Sequence, residues 1–340
     1  MSYSINKILA LFILAILMQN CAENELIDAA ATAEVPQTIQ MEKATGVEYM
    51  EDAELESRTS PIYSFNTLNQ ALECTGLGAA LASGQNTVYA PTDAAFAKLG
   101  LNASNICEAL DTETLSNILL YHVTTSNLVS ISQRGCLEMA NGNVAQIARK
   151  GHRLEINESR ITLLFNQRNG SALLRLYVID NVLEVPTSNI VETAASVSIF
   201  ESLVAAVLAA DPAIAVALSD NDAVFTVFAP TNDAFNDLVA ALGASSLEEV
   251  VAAVGVDALS TILLYHVVDA CAFSNHLSDG LAITTLQGEE LVVDLDNLSI
   301  LDKTTDPAGL VVDLIDIRTA NGIVHTIDKV LLPQAILDVL

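Results

Sequence analysis

The side chains of this 340-residue chain that could do chemistry are five histidines, five cysteines and 42 acidic residues. The histidines form no HExxH motif or other close ligand pair, and no CxxC occurs, so the common zinc patterns are absent. The sequence contains no G-x-S-x-G elbow, P-loop or G-x-G-x-x-G motif after a strand. Asp294 and Asp296 suggest a calcium loop, but Leu298 stands where a third oxygen ligand should fall. We therefore predict a non-enzymatic protein with no catalytic residue, no metal and no cofactor.

One polar pair occurs twice, as Tyr121-His122 and Tyr265-His266, each time within the run ILLYHV. Two interpretations are open. The pair is either an exposed binding determinant or a buried pair whose ring nitrogen and hydroxyl bond to backbone groups. Because the run is apolar on both sides of the pair, we favour burial. The same interpretation applies to His325, which lies between Val324 and Ile327.

The Tyr-His pair is one of three segments that recur in the same order. The first is TVYAPTDAAFAKL (87–99), which recurs as FTVFAPTNDAFNDL (225–238). The last is YVIDNVLEVP (177–186), which recurs as HTIDKVLLP (325–333). Three ordered matches predict two copies of one domain with small loop insertions.

Each copy predicts helices in its first half and strands in its second. A short strand precedes Pro-Thr-Asx, where Thr92 and Thr231 are expected to cap a helix. Alternating apolar and polar residues mark strands in the last third of each copy. Asn321-Gly322 separates two strand-like runs and predicts a tight hairpin. The fold class is therefore α+β.

These motifs resemble the fasciclin-like domain, whose segments are a strand with Pro-Thr-Asx, a Tyr-His pair, and Asn-Gly-x-Val-His-x-Ile-Asp-x-Val-Leu-x-Pro. The second copy matches all three, whereas the first has Tyr177 where the second has His325. The resemblance implies two tandem domains, each a β-wedge or sandwich flanked by several helices. It also implies extracellular adhesion, in which Tyr-His motifs are implicated. The motif residues that are either structural or binding are Thr92, Tyr121, His122, Thr231, Tyr265, His266 and His325.

The N-terminus predicts export. Lys7 precedes an apolar run of about ten residues, which is too short to span a bilayer and typical of a signal peptide. Cys21 follows this run, as in a bacterial lipoprotein signal whose cysteine is lipidated, although Gln19 and Asn20 replace the usual small residues. The alternative is a plain cleaved signal peptide. We predict a signal peptide over 1–21, an acidic flexible linker over 22–60, and fasciclin-like domains over 61–186 and 187–340.

Four cysteines remain after Cys21, an even number in an exported chain. Cys74 and Cys107 lie in helical stretches that flank the first strand and have no counterparts in the second copy, so we expect them to form a disulfide. Cys136 and Cys271 fall in strand-rich regions of different copies. A bridge would join the copies, but two buried free thiols are the favoured interpretation.

The formal net charge of −28 excludes most nucleic-acid partners, because phosphate binding needs a cationic surface. The charge is uneven: residues 62–186 carry net −2 and residues 187–340 carry net −19. Six of the 14 basic residues lie between Arg149 and Arg175, which is either a docking face for an acidic partner or a solvated strand face.

We predict adhesion through an extracellular protein or polysaccharide ligand. The protein would be secreted, or held at the outer surface or periplasmic face of a bacterial membrane by its lipid anchor alone. The alternatives are an accessory domain or enzyme acting on exported polysaccharide, and a structural spacer without a specific ligand.

Overall fold

The computed structural model describes residues 63–79, 85–124, 135–150, 152–169 and 172–338. These residues divide into two compact units. The predicted signal peptide, Cys21 and the predicted linker lie outside the described residues. The first unit contains the described residues before 125, Leu137–Asn141 and Ile147–Glu184; the second contains residues 135–136, Gly142–Gln146 and 185–338.

Helices occupy the first half of the first copy, as predicted. The described residues there form α1 (Asn66–Thr75), α2 (Asp93–Ala97), α3 (Ile106–Ala109), α4 (Thr112–Tyr121) and a 3-10 turn at Leu77–Ala79.

The strands of the first copy form one seven-stranded sheet in the order β2-β1-β7-β6-β5-β4-β3. The pair β1–β7 is parallel, and β7 then pairs antiparallel with β6. The bounds are β1 (Gln85–Pro91), β2 (Val123–Thr124), β3 (Gly135–Glu138), β4 (Val144–Lys150), β5 (Arg153–Ile156), β6 (Ser159–Asn169) and β7 (Ala172–Ile179).

Helices again come first in the second copy. They are α5 (Ile190–Ser196), α6 (Glu201–Ala209), α7 (Pro212–Leu218), α8 (Asn232–Ala241), α9 (Leu247–Val254), α10 (Val256–Tyr265) and, at the end, α11 (Gln334–Leu337), with 3-10 turns at Ser198–Phe200, Ser274–His276 and Val312–Leu314.

The strands of the second copy form two four-stranded sheets, ordered β14-β15-β8-β9 and β10-β11-β12-β13. In the first sheet, β8 and β15 are parallel. The bounds are β8 (Phe225–Pro230), β9 (Val267–Val268), β10 (Ala282–Thr284), β11 (Glu290–Asp294), β12 (Ser299–Leu301), β13 (Ala308–Gly309), β14 (Ile317–Thr319) and β15 (Gly322–Ile327).

Strand alternation places two cores on opposite faces of the β8 sheet. Val227 and Val324 face a core that they share with the helices. Phe228 and Ile327 face a second core shared with Leu291 and other residues of the β11 sheet. The second unit is therefore a helical layer over two packed sheets, and the predicted α+β class is confirmed.

The predicted hairpin forms, but its turn is one residue earlier than predicted. Thr319 pairs with Gly322, so Ala320 and Asn321 are the loop residues and Gly322 begins β15. A Cβ on Gly322 would lie 2.1 Å from the backbone oxygen of Phe225. Glycine is needed here because the parallel strand β8 approaches too closely for a side chain.

The structure contains two disulfides among the described residues. Cys74 and Cys107 join α1 to α3, with Cα atoms 6.1 Å apart and a separation of 33 residues. Closing a loop of that length is worth about 3–4 kcal/mol on the chain-entropy model.

The expectation of free thiols at Cys136 and Cys271 is wrong, because these residues form the second disulfide. Both belong to the second unit, since residues 135–136 pack with it although they come from the first copy's sequence. Spacing along the chain could not reveal this pair, because the residues are 135 positions apart.

Among the described residues, no single helix is long and apolar enough to cross a membrane. Two consecutive helical segments, Ile190–Ser196 and Ser198–Ala209, are together long and apolar enough, but the chain bends by 107° between them.

Candidate functional site

The Tyr-His pairs lie at the C-terminal ends of equivalent helices and are buried. Tyr121 is the last residue of α4 and Tyr265 the last of α10. The exposed fractions of His122 and His266 are each 2%, and both tyrosines are fully buried. The structure therefore places both pairs inside the units, as the apolar flanks predicted.

His122 connects the three repeated segments of the first unit. Its Nδ1 lies 2.7 Å from the carbonyl oxygen of Ile118, one helical turn earlier. Its Nε2 accepts a hydrogen bond of 2.9 Å from the backbone N–H of Leu183 in the last segment. Its backbone oxygen accepts from Tyr89 N in the first segment at 2.8 Å. One residue thus connects a helix end to β1 and to the segment that follows β7.

His266 makes the same three contacts in the second unit. Its Nδ1 lies 2.8 Å from the oxygen of Ile262, and its Nε2 accepts from Leu331 N at 2.9 Å. Its backbone oxygen accepts from Phe228 N at 2.9 Å. These contacts give a physical reason why the three segments recur together.

The contacts fix the protonation state of each ring. Because Nε2 accepts from a backbone N–H it carries no proton, so Nδ1 carries it and donates to the helix carbonyl. Burial lowers the pKa of His122 to about 4, although the bond to Ile118 opposes this shift. Burial likewise lowers the pKa of His266 to about 4, against the bond to Ile262 and the charge of Asp302.

These lowered pKa values make folding pH-dependent. Between the ordinary histidine pKa of 6.5 and the folded value of about 4, the unfolded chain binds more protons than the folded chain. The stability contributed by the neutral rings is therefore complete above about pH 6.5. It is lost progressively as the pH falls toward 4.

The tyrosine hydroxyls extend this arrangement to the strand-rich halves. Tyr265 Oη donates to the backbone oxygen of Glu290 at 3.1 Å, where β11 begins. Tyr121 Oη accepts from Asn157 Nδ2 at 2.9 Å. Asn157 lies at the β5–β6 turn with φ of +45°, in the left-handed region that asparagine tolerates.

His325 is also buried, and the residue that replaces it in the first copy keeps its packing. His325 stacks on Phe228, with ring centroids 5.7 Å apart, and its Nε2 lies 2.7 Å from the oxygen of Ala272. Tyr177 stacks on Tyr89 at 5.6 Å. In each copy the two stacked residues lie opposite each other on the parallel central strands. The first copy therefore keeps a stacked pair of rings although its motif has tyrosine in place of histidine.

Thr92 and Thr231 occupy the N-cap positions of α2 and α8. The hydroxyl of each accepts a hydrogen bond of 3.2 Å from the backbone N–H three residues later. The following residue caps a different helix, which the sequence did not suggest. Asp93 accepts from Thr67 N at 2.8 Å, and Asn232 accepts from Ser202 N at 2.9 Å. The recurrent Thr-Asx pair therefore joins two helix starts.

The structure also gives Asn321 a role that the sequence did not reveal. It is 1% exposed, and its Oδ1 accepts from Ile190 N at 2.8 Å. Its Nδ2 donates to the backbone oxygens of Leu218 at 2.7 Å and Asp220 at 3.0 Å. These partners lie about 100 positions or more from Asn321, so the Asn-Gly signal predicted only the hairpin.

Lys329 provides a further polar contact in the last segment, and its side chain is 26% exposed. Its ammonium donates to Thr304, the oxygen of Asp306 and both carboxylate oxygens of Asp302, the last two at 3.3 Å. Asp302 also accepts from Leu332 N at 2.9 Å. The ammonium group of Lys329 thus neutralises the carboxylate of Asp302 and donates to two other oxygen atoms of the loop over residues 302–306.

In the part of the chain that the structure describes, no three His, Cys, Asp or Glu residues are placed to hold a metal ion. Asp294 accepts from the backbone N and side-chain amide of Asn297, so its carboxylate closes a turn. The tyrosine and histidine rings of the motif are buried, and the hydroxyls of Thr92 and Thr231 cap helix starts.

The chain therefore contains two tandem α+β domains that share the same buried contacts. A comparison with protein-family models identifies the family of these domains. The fasciclin domain model matches residues 63–186 and 198–333. The chain belongs to the fasciclin domain family and carries two of its domains. Domains of this family are associated with cell adhesion and with cell-surface proteins.

Three relatives each match less than half of this chain. Protein sll1483 of Synechocystis sp. is 40% identical over 145 residues, which cover 42% of this chain and 73% of that protein. Transforming growth factor-beta-induced protein ig-h3 of Sus scrofa is 32% identical over 160 residues, 47% of this chain and 21% of that protein. Cell surface glycolipoprotein MPB83 of Mycobacterium bovis is 40% identical over 119 residues, 34% of this chain and 46% of that protein. The chain thus spans less than half the length of the last two.

A solved structure of a FAS1 domain pair from the insect cell adhesion molecule fasciclin I also matches. It is 17% identical, has a TM-score of 0.40, and the match covers 79% of this chain and 93% of that one.

Proposed function

We propose that this protein is a non-enzymatic adhesion protein that acts outside the cytoplasm and binds an extracellular protein or polysaccharide. The match of two segments of the chain to the fasciclin domain, a domain associated with cell adhesion, carries this proposal. The burial of both Tyr-His pairs limits where a ligand can bind. Their polar atoms are engaged with backbone groups of their own unit, so a ligand must be bound by exposed residues. A binding surface needs no convergent polar pocket, whereas an enzyme does.

Binding without turnover is the test. The chain without its signal peptide should bind at least one member of a panel of immobilised glycans and matrix proteins saturably. Size-exclusion chromatography of each bound polymer should show no shortening after prolonged incubation. Binding that persists after the chain has been reduced and unfolded would be non-specific. Polymer cleavage, or the absence of any saturable binding, would contradict the proposal.

We further propose that a lipid on Cys21 holds the protein at a membrane surface. Two observations support this proposal. Cys21 follows a signal-peptide-like apolar run after three intervening residues, and MPB83, one of the relatives, is named as a cell surface glycolipoprotein. A lipidated cysteine becomes the N-terminus, and the acidic segment 22–60 would then connect the lipid to the domains. If that segment is flexible, its root-mean-square reach is about 35 Å.

Replacing Cys21 with serine should move the protein from the membrane fraction to the soluble fraction, because serine has no thiol to lipidate. Detergent partitioning of the variant and of the parent measures this change. Asn20→Ala changes the neighbouring residue, keeps the thiol and is the matched control. Equal partitioning of Cys21→Ser and the parent would show that the anchor is not at Cys21.

A further inference from the structure

Three basic side chains share one face of the sheet in the first unit. Lys150 on β4 pairs with Arg153 on β5, and Glu155 on β5 pairs with Arg160 on β6. Directly paired residues lie on the same side of a sheet, as do residues two apart on one strand. We call Lys150, Arg153 and Arg160, with Glu155 among them, the cationic face.

The cationic face is open to solvent and has an excess of positive charge. All three basic residues are exposed. Lys150 Nζ lies 3.2 Å from a carboxylate oxygen of Glu155, whose side chain is 14% exposed. Neither Arg153 nor Arg160 forms an ion pair with another described residue. A second carboxylate lies nearby, because Asp180 Oδ1 accepts a hydrogen bond of 2.8 Å from the backbone N–H of Arg160. Three cations therefore stand against two carboxylates.

The direct pairing of two cations on β4 and β5 destabilises the sheet, whereas a cation paired with a carboxylate would not. Lys150 and Arg153 are directly opposite each other, and like charges in that position destabilise a strand pair. The chain has 42 acidic residues but places a second cation here rather than a carboxylate. The ion pair of Lys150 with Glu155 compensates only in part, because Arg153 forms no ion pair with another described residue. A local rule that is broken with only partial compensation indicates a surface that is completed by a partner.

We infer that the cationic face binds an acidic polysaccharide through its carboxylate or sulfate groups. This inference rests on the proposed adhesive function and names the partner and the surface. Cations on three neighbouring strands, about 5 Å apart, suit a ligand with repeated anionic groups. Acidic residues elsewhere in the chain repel such a polymer only within the screening length of about 8 Å at physiological ionic strength.

The composition of the face favours a polysaccharide over other polyanions. Residues 144–162 contain no Phe, Tyr or Trp, so they offer no platform on which bases could stack. Apart from His152, the exposed side chains among the described residues of 149–160 are charged, whereas protein–protein interfaces have an apolar centre.

The test measures binding of the chain to dextran sulfate, with uncharged dextran of the same length as control. Arg153→Gln and Arg160→Gln should each weaken binding about two- to fivefold, the range expected for one exposed charge contact, and reduce the salt dependence. Glu155→Gln removes the competing carboxylate and should strengthen binding by a similar factor. Lys303→Gln removes an equally exposed cation from the second unit and should change nothing.

Stability supplies an independent readout. Because Arg153→Gln removes a like-charge contact, its melting temperature should equal or exceed that of the parent, so weaker binding could not be due to unfolding.

Dextran sulfate that fails to bind, or that responds equally to Arg153→Gln and Lys303→Gln, would overturn the inference. Tighter binding to polyglutamate or single-stranded DNA than to dextran sulfate would overturn the choice of a polysaccharide. If the chain instead binds a neutral glycan or a matrix protein, the adhesive function stands and only this surface assignment fails.

Discussion

Replacing His266 with alanine is expected to lower the free energy of unfolding of the second unit by about 3–5 kcal/mol. The substitution leaves the Leu331 N–H without its acceptor, and an unsatisfied buried group costs about 1–3 kcal/mol. It also removes a fully packed ring and leaves a cavity in its place. Thermal and urea unfolding of the full chain measure the loss.

Two further variants make this result specific. His122→Ala should destabilise the first unit to a similar extent, because His122 makes the same three contacts. His152→Ala changes an exposed histidine and should alter stability by less than about 0.5 kcal/mol. If His266→Ala were as harmless as His152→Ala, the ring would not hold the fold together.

Asn321→Ala is expected to cost about 3–4 kcal/mol, also in the second unit. The side chain makes three hydrogen bonds to the backbones of α5, α7 and the loop that follows α7. Alanine would leave the buried N–H of Ile190 and the carbonyl oxygen of Leu218 without the partners that Asn321 supplies, whereas the oxygen of Asp220 would still accept from Ala223 N. The denaturation midpoint should fall without a change in the urea dependence of the free energy of unfolding.

Asn297→Ala is the matched control for this prediction. Asn297 also lies in a strand-to-strand turn, but it is exposed, and its side-chain amide donates to Asp294. Its replacement should cost about 0.5 kcal/mol. Equal effects of the two substitutions would mean that Asn321 acts as an ordinary turn residue and does not connect distant segments.

The sequence was sufficient to predict features that depend on local pattern. The apolar run around each Tyr-His pair predicted burial, and Pro-Thr-Asx predicted a capped helix start. The order of helices and strands predicted the α+β class. In the first two cases the signal and the structure that it specifies lie within about ten residues of each other, and the class depends only on the order of such local signals.

The features that were not predicted depend on contacts between residues far apart in the chain. The Cys136–Cys271 disulfide and the partners of Asn321 join segments about 100 or more positions apart. Periodicity carries no information about such pairs. Nor could it show that Tyr177 in the first copy would replace the aromatic stacking of His325 in the second.

The central claim is that the Tyr-His pairs hold the fold together, so that any ligand is bound by exposed residues. Titration of the histidine ring signals by NMR in the intact chain tests this claim most directly. The exposed ring of His152 provides the signal of a histidine open to solvent in the same sample. From pH 8 to pH 5, the signals of His122 and His266 should stay at the positions of neutral rings that carry the proton on Nδ1, because their pKa values are about 4. Protonation of either ring near pH 6.5 in the folded chain would contradict the account and make the pairs candidates for the binding site.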